Sequence, residues 1–229
     1  MDMMTHLGAL STPDLLAVLA VFLLWAGSGW IIEHPPASRP SVSHIMQDYR
    51  HDWMRQFVTR QPRIFDATLI DSLRQGTAFF ASACMIAIGG GVALIGNSEQ
   101  LRGIAQDLTI DPTTVQVEVK MILCLAFLAN ALLKFVWSHR LFAYCAVLIA
   151  AVPNDVNDPQ AYPRAAQAAD INITAARNFN KGLRAIYFAL AALGWLLGPW
   201  GLILAALAAT TVLMRREFMS QSRDVMLRR

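Results

Sequence analysis

The chain has 229 residues, of which 55% are hydrophobic and 15% charged, and its mean hydropathy is +0.42. Ordinary soluble domains carry about 25% charged residues, so this composition excludes a soluble globular domain. The formal net charge is +3 and the pI is about 9.0. We expect no nucleic-acid partner, because the basic residues concentrate in segments between apolar runs, where membrane proteins place them.

Three apolar stretches are long enough to cross a bilayer: residues 13–32, 76–96 and 117–137. Each has about 20 residues, which at ~1.5 Å per residue matches a hydrocarbon core of ~30 Å. The first stretch lacks a basic amino-terminal region and a cleavage site, so it is predicted to be a retained span rather than a signal peptide. Thr12 is its predicted N-cap and Pro13 its first helical residue.

An amphipathic helix is predicted between the first two spans. Ile45, Tyr49, Trp53 and Phe57 repeat every four residues, and polar residues occupy much of the remaining surface, which is typical of a helix with one apolar side. The helix should end at or before Pro62. It either lies on the membrane surface or packs on other cytoplasmic helices, and the pattern fits both.

The second span is rich in glycine, alanine and serine, and Gly89, Gly90 and Gly91 follow one another near its end. Small residues let helices approach closely in lipid. A helix–helix contact face is therefore the first interpretation of these glycines, and a flexible gating hinge is the second.

A shorter apolar run, residues 141–152, follows the third span. About 12 residues make only ~18 Å of helix, too little to cross a bilayer. The run either continues the third helix beyond the membrane, covered by other protein, or dips into the interface. It falls within a predicted cytoplasmic helical layer, residues 43–75 and 138–185.

The distribution of lysine and arginine predicts the topology. Of the 19, six lie between the first two spans, two (Arg102 and Lys120) follow the second span, six run from Lys134 to Arg184, and five come after Met214. Basic loops stay on the cytoplasmic side, so Arg184 and Arg215 should share that side. The apolar segment 186–214 would then enter the membrane and return, broken at the turn LGPWG; a long, kinked fourth span is the rival.

Four segments carry a family resemblance: RIFDATLIDSLRQGTAFFASACMIAIGG, KFVWSHRLFAYC, RNFNKGLRAIYFALAALGWLLGPW and the tail RREF. Together they resemble the membrane protein family named domain of unknown function 599, over about residues 45 to 220. The resemblance implies a multi-span helical membrane protein found in bacteria, with relatives in plants. It brings no activity, and therefore no catalytic residues. At position 181 the family is expected to have arginine as often as lysine. Lys181 keeps the positive charge but loses the bidentate hydrogen bonding of a guanidinium.

The predicted fold is all-α: one integral membrane domain, residues 1–229, with three full transmembrane helices and a C-terminal Gly-Pro-broken hydrophobic hairpin, or a kinked fourth span. Amphipathic cytoplasmic helices complete it. We expect the chain in the bacterial inner membrane, with its N-terminus outside and its C-terminus inside.

Polar residues at the inner end of the third span are candidate functional residues. Asn130 and Lys134 lie one helical turn apart, and His139 follows. Ionisable residues within a membrane suggest function by default. Lys134 has three interpretations: it snorkels to the interface, forms a structural ion pair, or lines a substrate or ion path.

A basic cluster on the cytoplasmic side is the candidate site for anionic lipid or another anion. It comprises Arg140, Arg177, Lys181 and Arg184, and the alternative is that these residues only anchor the topology. Asp66 and Asp71 precede the second span. Because they are about 140° apart on a helix, they are predicted to pair with interfacial arginines rather than to form a carboxylate dyad.

Motifs of known chemistry are absent from the sequence: it contains no P-loop, no G-x-S-x-G and no H-E-x-x-H. We expect no enzyme, no metal and no cofactor. The cysteine spacing fits neither metal nor disulfide, so small packing residues are expected at Cys84, Cys124 and Cys145.

The predicted function is that of a structural or interaction membrane protein. It should form a homo-oligomer through small-residue faces such as Ala81 to Gly91, and a membrane-complex partner also fits. The alternative is a channel or a small-solute or ion transporter, with a pore near the turn residues Gly198, Pro199, Trp200 and Gly201.

Overall fold

The computed structural model of the protein describes residues 11–97, 103 and 114–228. The described residues include no strand, and the expected all-helical fold is confirmed. The helices are α1 (Thr12–Glu33), α2 (Val42–Thr59), α3 (Ile64–Gly96), α4 (Thr114–Ala150), α5 (Ala161–Leu193), a 3₁₀ turn (Gly194–Leu197), α6 (Pro199–Phe218) and α7 (Gln221–Met226). Most of residues 97–116, which separate the second and third predicted spans, lie outside the described residues.

Three of these helices are long and apolar enough to cross a membrane: α1, α3, and α4 from Val117 onward. This agrees with the three predicted spans. The last two helices extend beyond the predicted spans, at 33 residues for α3 and 37 for α4. The run 141–152 is therefore a continuation of the third helix, ending at Ala150.

The beginning of α1 corrects one detail of the sequence prediction. The N-cap is Ser11, not Thr12. The Ser11 backbone N–H donates to Asp14 Oδ2 at 3.1 Å, and the Asp14 N–H donates to Ser11 Oγ at 3.4 Å. This reciprocal pair satisfies free N–H groups at the helix start, and Pro13, which has no N–H, needs no such partner.

The contacts divide the chain into two compact units, which we describe separately. The first unit contains Met1–Ile31, Ala83–Ala131 and Leu183–Arg216. It contains an aromatic group, in which Phe127 lies 5.6 Å from Phe22, 5.7 Å from Trp25 and 6.0 Å from Phe188 between ring centroids. Because α1 supplies two of these rings and α4 and α5 one each, they join three helices of the unit.

The end of α5 and the helix α6 lie side by side within the first unit. A Cβ placed on Gly194 would lie 2.8 Å from Gly201 O and 2.8 Å from Ala205 Cβ, so the backbones touch near the turn. Farther along, Arg216 Nη1 donates to the Tyr187 hydroxyl. Gly198 joins the two elements with φ +97°, a backbone conformation that glycine adopts without strain.

The second unit contains Ile32–Ser82, Leu132–Gly182 and Glu217–Arg229. Its main core is formed by α2 packing on α3, α4 and α5, through the buried side chains Met54, Phe57, Val58, Ile70, Cys145, Ile149, Ala161, Ala165, Ala168 and Ala169. Of the two places open to the amphipathic helix, the structure therefore has it packed on other helices. The alanines of α5 allow this close approach because they add little volume.

The C-terminal residues complete the start of α2. Ser41 is the N-cap of α2 and accepts from His44 N–H. Glu217 then binds Ser43 twice, accepting from its backbone N–H at 2.9 Å and from its hydroxyl at 2.9 Å. A carboxylate at a helix N-terminus accepts hydrogen bonds from free N–H groups and interacts favourably with the positive end of the helix dipole.

Candidate functional site

Asp66 is fully buried in the second unit, and its position follows from its place in the first turn of α3. Its Oδ1 accepts from Trp53 Nε1 at 2.6 Å and pairs with Arg60 Nη1 at 2.5 Å. Oδ2 is also buried and has no hydrogen-bond partner among the described residues. One carboxylate oxygen thus ties α2 and the residue that follows it to α3.

Asp71, the other carboxylate predicted to pair with arginine, is exposed and accepts instead from Gln75 Nε2 at 2.7 Å, one turn along α3. Asp66 and Asp71 therefore do different work on the same helix. The first joins helices, and the second is exposed.

A half-buried arginine and a buried amide meet in the second unit. Arg50 Nη1 of α2 donates to Asn172 Oδ1 of α5, and Asn172 Nδ2 lies 3.6 Å from Cys145 Sγ. Asn172 is completely buried. Because its surroundings exclude water, burial lowers the pKa of Arg50 below its usual value. The pair therefore acts as a polar contact between helices.

His139, one of the polar candidates of the third span, is held by α3. Its Nδ1 lies 3.1 Å from Thr77 Oγ1 and 3.3 Å from the Arg74 carbonyl oxygen. Thr77 Oγ1 donates its only proton to the Arg74 carbonyl at 2.6 Å, so we assign the His139 proton to Nδ1. Asn130 and Lys134, also on α4, are half-buried.

The four residues of the predicted basic cluster have separate environments. Arg140 is exposed and lies over the Tyr144 ring, 5.6 Å from its centroid, and Arg177 is exposed. Lys181 pairs with Glu33 at 3.0 Å. In the first unit, Arg184 is buried, and its guanidinium lies 3.1 Å from a Cβ placed on Gly29. An anion site formed by all four stays a prediction.

The first unit contains a buried carboxylate at the start of α1. Asp14 Oδ1 accepts from Trp195 Nε1 at 2.8 Å, while its Oδ2 binds Ser11. Trp195 lies in the 3₁₀ turn just before Gly198. The 3₁₀ turn that leads into the LGPWG segment thus lies beside the N-terminal end of α1.

The predicted turn segment LGPWG exposes apolar side chains. Leu197 and Trp200 expose 67% and 73% of their surface, while Gly201 is packed against Gly194. The tip of this segment therefore presents large hydrophobic side chains. A pore at the tip stays a prediction.

A family model described as "Protein of unknown function, DUF599" matches residues 16–222. The chain belongs to the DUF599 family. Among curated proteins and among solved structures, nothing matches the chain. The family match extends from the second turn of α1 into α7, so the resemblance seen in the sequence is confirmed over nearly the whole chain.

The DUF599 match includes the Asp66, Arg50 and Asn172 contacts, whereas Asp14 falls just before its first residue. Sequence reasoning singled out Asp66 because a carboxylate preceded an apolar span. It missed Arg50 and Asn172 as a pair, because 122 residues separate them. Asp14 is the one charged residue of the apolar run 13–32, but nothing in the sequence indicated Trp195 as its partner.

Proposed function

We propose that this DUF599 protein is a non-catalytic protein of the bacterial inner membrane that assembles with copies of itself. The observation that carries the proposal is the open surface of α3. A Cβ added at Gly89 or Gly90 would meet no atom within 4 Å, whereas one at Gly91 would lie 2.6 Å from Leu125 Cδ2. Packing inside the chain accounts for Gly91 alone.

Glycine in a helix interior costs about 1 kcal/mol relative to alanine. Contact with a second helix in lipid offsets such a cost, because small residues let two backbones approach closely. Ile86, one turn before Gly90, exposes 76% of its surface. Both observations support a contact between this part of α3 and a helix of another copy of the chain.

The buried polar groups support a non-catalytic role. Asp14, Asp66 and Asn172 are each buried and each bound to a side chain from another element. Groups placed in this way hold helices together and offer little surface to a substrate. Their partners satisfy most of the hydrogen bonds that burial demands, with Asp66 Oδ2 as the exception.

Native mass spectrometry of the detergent-solubilised full chain tests self-association. We expect an oligomer for the wild type and a shift toward monomer for Gly90→Leu, since the added side chain would separate the contact face. Gly27→Leu is the matched control: it adds the same bulk at a glycine of α1 that also has no neighbour within 4 Å. A wild-type protein found only as monomer would overturn the proposal.

If Gly27→Leu and Gly90→Leu dissociated the oligomer equally, the effect would come from added bulk in any span. The contact face would then not be α3. A retained oligomer in both variants would also remove α3 as the interface. Circular dichroism of each variant verifies that its helical content is unchanged.

A further inference from the structure

A pocket of about 290 Å³ opens in the second unit, where the first turns of α3 face the last turns of α4. Its walls are largely alanine, isoleucine and phenylalanine side chains. Its polar groups are Arg63, Asp71, Arg74 and Asn154. Two cations and one carboxylate leave the lining with a formal charge of +1.

The two arginines of the pocket differ in what they bind. The Arg63 guanidinium donates to the carbonyls of Val152 and Pro153, each at 2.9 Å, and lies 4.6 Å from the centroid of the Phe57 ring. It therefore holds the end of α4 in place. No described residue hydrogen-bonds the Arg74 guanidinium, and the Nε atoms of both arginines are buried without a partner.

Arg74 also lies where an apolar helix surface begins. Residues 76–96 of α3 contain no charged side chain, and about 20 residues match a ~30 Å hydrocarbon core. One turn beyond Arg74, Ala78 is exposed and Phe79 exposes 68% of its surface. If α3 crosses the bilayer, the pocket opens at the level of lipid head groups.

We propose that this pocket binds the head group of an anionic phospholipid that carries free hydroxyls, such as phosphatidylglycerol. Its phosphate accepts hydrogen bonds from Arg74, because a guanidinium matches phosphate oxygens well. Its hydroxyls donate to Asp71 and Asn154, and its acyl chains cover Ala78 and Phe79. The proposal rests on the membrane location and does not require self-association.

Charge and size select this head group among phospholipids. A lipid of net charge −1 complements a lining of +1, whereas the ethanolamine and choline lipids have no net charge. The Asp71 carboxylate repels a bare phosphate but accepts a hydrogen bond from a hydroxyl. Gln75 already donates a hydrogen bond to Oδ2 of this carboxylate. A volume of about 290 Å³ holds a head group, and the acyl chains stay outside.

Native mass spectrometry with added lipids tests the site on the full chain. Phosphatidylglycerol, phosphatidylethanolamine and phosphatidylcholine of identical acyl chains are titrated, and we expect phosphatidylglycerol to bind about tenfold more tightly than the other two. Arg74→Gln should lower that affinity about tenfold. Ala67→Phe, which fills the pocket and removes no charge, should lower it to a similar degree.

Arg55→Gln is the matched control, because Arg55 is exposed on α2 and the change removes the same charge. Its affinity for phosphatidylglycerol should stay within about twofold of the wild type. An equal loss in Arg55→Gln and Arg74→Gln would show diffuse attraction and overturn the site. So would equal binding of phosphatidylethanolamine, or of glycerophosphoglycerol without acyl chains. Lipid adducts are counted per chain, so the result is independent of oligomeric state.

Discussion

Asp66 joins three parts of the second unit through a single carboxylate oxygen, with Trp53 and Arg60 as its partners. An ionised carboxylate in an apolar interior is strongly unfavourable unless it is paired and hydrogen-bonded. The converse also holds, because loss of the carboxylate leaves an indole N–H and a guanidinium that were oriented toward it.

We expect Asp66→Ala to lower the free energy of unfolding by about 3 kcal/mol, as for other buried ion pairs that lose one partner. The free energy is measured from unfolding of the micelle-bound protein with increasing SDS. Asp71→Ala is the control, since Asp71 is exposed, and it should change the value by less than about 0.5 kcal/mol. Equal effects would mean that the Asp66 contacts contribute no net stability.

The partners of Asp66 show what the sequence can indicate for a single residue. Arg60 precedes Asp66 by six residues, so an interfacial ion pair was a reasonable prediction from local sequence. Trp53 lies on a different helix. Its ring also fits the apolar side of α2, so its position in the pattern did not indicate a hydrogen bond to Asp66. Hydrogen bonds such as this one depend on how helices pack, which residue order alone does not reveal.

Among the elements, the pair formed by the end of α5 and α6 depends on three glycines. Gly194 and Gly201 let the two backbones touch, while Gly198 turns the chain with a positive φ. Charge counting predicted a returning segment with its break at Gly198. The contact between Gly194 and Gly201 was not foreseen, because it depends on which helix faces meet.

Gly201→Ala should lower the free energy of unfolding by about 2 kcal/mol, since its Cβ would lie 2.9 Å from Leu197 Cβ and would also meet the Gly194 backbone. Gly76→Ala is the matched control in α3, where a Cβ meets nothing within 4 Å. That change should raise stability by up to about 1 kcal/mol. Both are read from SDS unfolding, and a neutral Gly201→Ala would contradict the close contact.

For the whole molecule, the three long apolar helices were predictable from composition and periodicity. The full length of α4 was not, because the polar residues 138–140 interrupt the apolar pattern but not the backbone hydrogen bonding of the helix. The division of these long helices between two compact units was likewise not predictable. It depends on contacts between distant segments.

The topology is testable with single cysteines in a background that lacks the three native ones. We expect cysteines at Arg177 and Met219, both exposed, to react with an impermeant maleimide from the cytoplasmic side. A cysteine at Asn97, at the other end of α3, should react from outside. Labelling of positions 177 and 219 from opposite sides would show that residues 186–214 cross once.

The contact between Ser43 and Glu217 bears on the order in which the chain is made. The two residues are 174 positions apart, so the first turn of α2 emerges from the ribosome long before the carboxylate that caps it. Until Glu217 arrives, the Ser43 N–H must bind water or another group. The second unit can therefore reach its final form only after synthesis of α6. The start of α2, an early helix of the chain, is completed by one of the last helices.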